Sequence, residues 1–123
     1  MNFRSFSAAV ALSGASLLSL TAPVQAQAPV SAATVRALNL ARNTAVSENG
    51  GLSVYRPQPC MFNTGDGGGE CLISNTAEGF TFKFLGGKPG WPENGSEPTT
   101  ETEIQISPDG RSINQIIYNG SPR

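Results

Sequence analysis

Gly79-Phe-Thr-Phe-Lys-Phe-Leu-Gly86 is the clearest strand pattern in the chain. Its three phenylalanines occupy alternate positions, and Thr81 and Lys83 stand between them. Because successive side chains of a strand point to opposite faces, the pattern predicts a strand with one aromatic and one polar face. Three rings on one face need a cover, so we interpret the aromatic face as core. The alternative is that it lines a hydrophobic pocket.

Two more strands are predicted downstream of this one. Residues 102–107 alternate between apolar and polar side chains as clearly as residues 79–86 do. Ser107-Pro-Asp-Gly-Arg111 is a strong turn signal, because proline presets the turn and glycine accepts a positive φ. Residues 112–118 return as the last strand. Its three isoleucines do not all fall on alternate positions, so the sequence does not say which face of this strand points to the core.

A helix and shorter strands are predicted upstream. Ser31 is a suitable N-cap for a helix that ends at Gly50-Gly51, and its narrow, alanine-rich stripe suits close packing on a sheet. Residues 52–56 and 71–74 predict short strands. One helix followed by four to five strands in hairpin succession predicts an α+β domain, with one N-terminal helix packed on an antiparallel sheet.

The N-terminus has the order of charges and apolar residues of a signal peptide. Arg4 precedes a run without charged side chains, and Pro23-Val-Gln-Ala26 supplies small residues before a cleavage site that we place after Ala26. A membrane anchor is the weaker alternative, because the run is rich in serine, glycine and alanine. We predict a secreted or periplasmic protein whose mature part, residues 27–123, is one small, monomeric α+β domain without a membrane span.

Cys60 and Cys71 are the only cysteines of the chain. In an exported protein such a pair predicts a disulfide, and a hairpin with its tip near Gly65-Asp66 would place the two residues opposite each other. A metal site would need carboxylates to complete it, because the chain has no histidine, and we predict none.

The glycine-rich stretch Gly65-Asp-Gly-Gly-Gly-Glu70 admits two interpretations. It is rich in oxygen ligands and backbone N–H groups, as a calcium loop or an anion-binding nest would be. However, it lacks the aspartate spacing of an EF-hand and the lysine of a phosphate loop. A flexible hairpin tip is therefore the favoured interpretation.

The composition excludes several classes of function. Without histidine there is no Ser-His-Asp or Cys-His catalysis, and the bridged cysteines remove thiol chemistry. We therefore predict that the protein is not an enzyme and uses no cofactor; a carboxylate-based hydrolase is the remaining enzymatic alternative. The formal net charge is −1 and no basic residues cluster, which argues against a nucleic-acid partner.

The long Gly- and Pro-rich segment 86–100, called here the 86–100 loop, is the one place where we predict a site. It holds the only tryptophan, and long loops of this kind are functional or mobile. Trp91, Lys88 and Glu93 are the candidate binding residues, for a protein or small-molecule partner. Trp91 either stacks on a ligand or pins the loop to the core. The leading hypothesis is a binding module, and the alternative is a structural or envelope-associated protein that acts by sheet-edge pairing.

Five segments of the chain resemble a group of small exported cyanobacterial proteins of unknown function, and the similarity covers most of residues 35–123. The segments are Asn49-Gly-Gly-Leu-Ser-Val-Tyr-Arg56, Phe80-Thr-Phe-Lys-Phe84, Gly86-Gly-Lys-Pro-Gly-Trp91, Ile106-Ser-Pro-Asp-Gly110 and Tyr118-Asn-Gly-Ser-Pro-Arg123. The resemblance implies export and a small compact domain. It implies no catalytic residue.

Overall fold

The computed structural model describes residues 30–123, and in this part of the chain one helix packs on a five-stranded antiparallel sheet. The predicted α+β class is confirmed. The elements are α1 (Ala32–Glu48), β1 (Arg56–Pro57), β2 (Leu72–Thr76), β3 (Gly79–Gly87), β4 (Thr100–Ile106) and β5 (Ile113–Gly120). The signal peptide and the cleavage site after Ala26 lie outside the described residues.

Strand β3 is the centre of the sheet. It pairs with β4 along its length, from Phe80 opposite Ile106 to Gly86 opposite Thr100. Its other edge is shared by β2 and the short β1, while β5 pairs with the far side of β4. The strand that the alternating phenylalanines predict is therefore the one on which the rest of the sheet is built.

The aromatic face of β3 is the core beneath the helix. Phe82 and Phe84 are almost completely buried, as are the isoleucines of β4 that share this face. Burial of one such ring contributes roughly 1.5–3 kcal/mol. The core interpretation of this face is confirmed, although Phe84 also lines one of the clefts described below.

Helix α1 begins and ends where the sequence predicts. The Ser31 side chain accepts a hydrogen bond from the Thr34 backbone N–H at 3.1 Å, which caps the first turn. The helix ends at Glu48, just before two glycines with positive φ. The small buried residues of the helix allow close packing on the sheet. The turn between β4 and β5 also comes close to the helix, since a Cβ on Gly110 would lie 2.5 Å from the Ala33 carbonyl oxygen.

The predicted Cys60–Cys71 disulfide is present, with 5.9 Å between the two Cα atoms. The hairpin predicted between the cysteines is wrong: the chain from residue 59 to residue 71 forms three short 3₁₀ turns. Gly67 and Gly68 have positive φ and are buried. A Cβ on Gly68 would lie 3.1 Å from the Leu38 side chain, so these two glycines pack against the helix, while residues 62–66 before them are exposed.

The strand predicted over residues 52–56 is also largely wrong. Only Arg56 of this range belongs to β1, and residues 52–54 form a turn. The Tyr55 and Val54 N–H groups bond back to the Gly51 carbonyl oxygen, which continues the chain reversal after the helix. Hydrogen bonds within this turn therefore replace the interstrand hydrogen bonds that the alternating apolar and polar residues predict.

Two bulges explain the isoleucines of β5. Ile113 lies opposite Ile106 and Ile116 lies opposite Ile104, with a register shift between these pairs and another before Tyr118. Each bulge adds a residue and restores the alternation. The strand lies at the edge of the sheet, so its isoleucines stay 40–41% exposed.

A polar network joins the C-terminal end of the helix to the sheet. The side-chain amides of Asn49 and Asn119 exchange two hydrogen bonds, at 3.1 and 3.2 Å. The Thr102 hydroxyl donates to the Asn119 oxygen at 2.6 Å. Tyr55 is buried beside this network, and that burial raises the pKa of its hydroxyl while Thr102 opposes the shift.

Candidate functional site

The 86–100 loop is shorter than predicted, because Gly86 and Gly87 pair within β3 and Thr100 within β4. Trp91 fastens the residues between these strands to the sheet. Its side chain is only 7% exposed, and its indole N–H donates to the Arg56 carbonyl oxygen at 2.8 Å. The ring lies over Gly87, where a Cβ would come within 2.9 Å of the tryptophan Cγ. The structure therefore places Trp91 as a pin that holds the loop against β1 and β3.

An open cleft of about 220 Å³ lies between this loop and the chain segment that follows β1. We call it the Trp91 cleft. It is lined by apolar side chains, one cation and one anion, which are Pro57, Pro59, Phe62, Trp91, Arg56 and Glu93, together with Gly90. Of the three predicted binding residues, Trp91 and Glu93 come together here. Lys88 is exposed and lies outside the lining.

Phe62 is the residue of this cleft that sequence reasoning missed. Its ring is 49% exposed although it carries no polar group. The Arg42 guanidinium lies 5.1 Å from the ring centroid, and its Nη1 donates to the Met61 carbonyl oxygen at 3.1 Å. Partial burial lowers the pKa of Arg42, which stays charged because that pKa begins so high. The exposed Phe62 ring is therefore packed against Arg42, and the hydrogen bond to Met61 fixes the position of that guanidinium.

The wall of the cleft is held by contacts on its other side. The Gln58 backbone N–H donates to the Leu85 carbonyl oxygen at 2.8 Å, and the Leu85 N–H donates to the Gln58 side chain at 2.9 Å. The Cys60–Cys71 disulfide follows directly. These bonds attach Gln58 to β3 and Cys60 to Cys71, so the cleft has a preformed wall.

Pro57 and Pro59 line the Trp91 cleft, whereas Gln58 between them lines a second cleft of about 310 Å³. This outer cleft lies beside β3 and β4 and is lined by Gln58, Glu70, Ile73, Lys83, Phe84, Leu85, Glu101 and Arg123. Its polar groups meet at Glu101, which is buried although it is charged. Alternation along β4 places Glu101 and Glu103 on one face, but only the structure brings Arg123 to them.

Glu101 and Glu103 are arranged as an ion-pair network. The Arg123 backbone N–H and guanidinium bond to Glu101, and together they hold the pKa of that carboxyl below its ordinary value. The same guanidinium bonds to Glu103 at 2.9 Å. The Glu101 carboxyl is therefore held in its ionised form, which suits charge pairing with Arg123 rather than proton donation.

Other binding chemistries find no support in residues 30–123. This part of the chain contains no group of three or more Cys, Asp or Glu side chains that could hold a metal ion. Its helix is too short and too polar to cross a membrane. The disulfide is compatible with an extracellular or periplasmic location.

No protein-family model matches the chain, and no curated protein or solved structure shows significant similarity to it. The resemblance to small cyanobacterial proteins therefore stays a prediction. A function for this chain must be inferred from the geometry of its two clefts.

Proposed function

We propose that the protein is an exported binding module that holds its ligand in the Trp91 cleft. The half-exposed ring of Phe62 on a preformed wall is the observation that carries the proposal. An apolar ring held at the mouth of a cleft loses unfavourable contact with water when a ligand covers it. Binding sites are typically such preformed clefts, with apolar walls and a few polar groups.

The lining of the cleft specifies the chemistry of the ligand. Phe62 and the two prolines offer an apolar surface, while Arg56 and Glu93 offer one charge of each sign. We therefore expect a ligand, or the side chain of a protein partner, with an apolar face and polar groups at its margins. Trp91 shapes the cleft and holds the 86–100 loop in place, and Phe62 supplies the exposed contact surface.

Export is supported by two independent features. Residues 1–26 have the pattern of a signal peptide, and the disulfide would persist in an oxidising compartment. The exported protein would then bind its ligand outside the cytoplasm.

Native mass spectrometry of the protein recovered from the medium or periplasm of its own organism is the direct test. The proposal predicts a mass that begins at Gln27, two hydrogens light, with a bound species. Phe62→Ala should lose that species. Leu52→Ala is the matched control, because Leu52 is similarly exposed at 47% and lies outside both clefts. Retention of the species by Phe62→Ala would refute the site.

Sheet-edge pairing is the second candidate function, and one observation favours it. Strand β5 has no partner on its outer edge among the described residues, carries no charged side chain and exposes three isoleucines. Charges normally protect such edges, although the two bulges of β5 offer some protection. Ile117→Lys should abolish concentration-dependent association in analytical ultracentrifugation. A wild-type chain that stays monomeric at every concentration would contradict this candidate.

A further inference from the structure

The end of the described chain, residues 121–123, folds back onto the outer face of the sheet. The Tyr118 hydroxyl donates to the Ser121 carbonyl oxygen, which begins the return. The Arg123 backbone N–H then donates to the Glu101 carboxylate at 2.8 Å. The chain reversal brings the guanidinium of Arg123 to Glu101 on β4, which lies 22 residues earlier in the sequence.

The guanidinium is held on three sides. Its Nε and Nη2 donate to one Glu101 oxygen at 3.1 and 2.7 Å, and Nη2 also donates to Glu103 at 2.9 Å. Its carbon lies 3.9 Å from the centroid of the Tyr118 ring. We call the three surrounding residues, Glu101, Glu103 and Tyr118, the guanidinium seat. Two carboxylates and an aromatic face match the donors and the flat surface of a guanidinium group.

Strands β4 and β5 supply the residues of the guanidinium seat, and Arg123 is the residue that another guanidinium could replace. Glu101 and Glu103 project from adjacent outward positions of β4, and Tyr118 lies opposite Glu103 on β5. The Glu101 side chain is 5% exposed, whereas the Arg123 side chain is 42% exposed. Arg123 therefore covers the carboxylate from the solvent side, and both carboxylates are fixed on a paired strand of the sheet.

The charge of this face becomes more negative when Arg123 leaves. Lys83 lies 3.9 Å from Glu101 and is then the one cation among the groups of the seat and the outer cleft, against Glu70, Glu101 and Glu103. Two neighbouring carboxylates without their shared guanidinium repel each other, so the vacated seat favours a cation. The outer cleft beside it adds apolar surface from Ile73 and Leu85 for a neighbouring side chain.

We propose that the guanidinium seat is a binding site for an arginine side chain presented by a partner polypeptide, and that Arg123 occupies it in the free protein. Binding exchanges one guanidinium for another, so the bonds to Glu101 and Glu103 are kept. The Trp91 cleft shares no lining residue with the guanidinium seat or the outer cleft. The proposal is therefore independent of the function proposed for that cleft.

The test uses N-acetyl-arginine amide as the probe and N-acetyl-lysine amide as its matched control. Titration into the Arg123→Ala chain, followed by the NMR amide signals of Glu103 and Tyr118, should give saturable shifts. The arginine probe should bind about tenfold more tightly than the lysine probe, because an ammonium cannot bond to both carboxylates in the same plane. Adding Glu101→Gln should weaken binding by about tenfold or more.

A second measurement does not depend on any variant. In the wild-type chain the Arg123 Nε–H signal should move toward that of a free arginine as the arginine probe is added, at higher concentrations than Arg123→Ala requires. The tethered arginine competes at an effective concentration on the order of millimolar. Equal affinity for the two probes, or shifts that Glu101→Gln leaves unchanged, would overturn the proposal. An Arg123 signal that does not respond to the probe would do the same.

Discussion

A single methyl group added at Gly86 should disturb the core. A Cβ there would lie 2.6 Å from both Cζ and the hydroxyl oxygen of Tyr55. The Tyr55 side chain is only 3% exposed, so the ring is enclosed and has little room to move away. The φ angle of Gly86 is not positive, which leaves the clash with Tyr55 as the reason for glycine.

The expected cost of Gly86→Ala is at the upper end of the range for overpacking, about 3 kcal/mol. Tyr55→Leu removes the ring atoms that clash while it keeps an apolar side chain, at a cost of about 2 kcal/mol from lost packing. In the Tyr55→Leu background, Gly86→Ala should therefore be nearly neutral, because alanine is better tolerated than glycine in a strand interior. The coupling between the two substitutions should be about 3 kcal/mol.

Urea unfolding of the four chains of this double-mutant cycle, followed by circular dichroism, measures the coupling. Gly65→Ala is the control, since Gly65 has no positive φ and its nearest neighbour to an added Cβ is 4.0 Å away. That substitution should change stability by less than about 0.5 kcal/mol. If Gly86→Ala costs as much in the Tyr55→Leu background as in the wild-type chain, the steric reasoning is refuted.

Three further predictions concern the disulfide, the ion pair of Glu101 and the 86–100 loop. Reduction of the Cys60–Cys71 disulfide, which closes a separation of 11 residues, should lower the free energy of unfolding by about 3 kcal/mol in urea titrations. A loss below about 1 kcal/mol would contradict the chain-entropy account. Because Arg123 lowers the pKa of Glu101, that carboxylate stabilises the fold above its ordinary pKa and stops doing so as pH falls through the lowered value. Melting temperatures of wild type and Glu101→Gln should therefore converge in acid, and a constant gap down to about pH 2 would argue against this linkage. Trp91→Phe removes the indole donor and should cost about 1 kcal/mol, with faster amide exchange in residues 88–95. Unchanged exchange would show that the indole does not hold the loop.

Local patterns predicted most of the fold correctly. The alternation in residues 79–86 fixes β3, and the Ser107–Gly110 hydrogen bond forms the turn that Pro108 and Gly110 indicate. Ser31 caps the helix as predicted. Each of these features depends on residues a few positions apart, whose spacing can be read from one sequence.

The candidate sites could be predicted only in part. The 86–100 loop was identified from its composition and from Trp91, but Phe62 gave no signal, because an isolated phenylalanine in a sequence is ordinarily core. Arg123 gave none either, because charge pairing across 22 residues has no local pattern. The glycines of residues 65–69 suggested a loop tip, and nothing local indicates that Gly67 and Gly68 pack under the helix.

Local sequence patterns and composition were sufficient to predict the α+β class, the central strand, the disulfide pairing and the chemistries that a chain without histidine cannot perform. The tertiary structure decided that Trp91 is a pin, that Phe62 is exposed, and that Arg123 meets two carboxylates of β4. The physical reason is the range of the interactions. Strand and helix periodicity follow from backbone geometry over a few residues, whereas both clefts are made by side chains that only the packing of distant segments brings together.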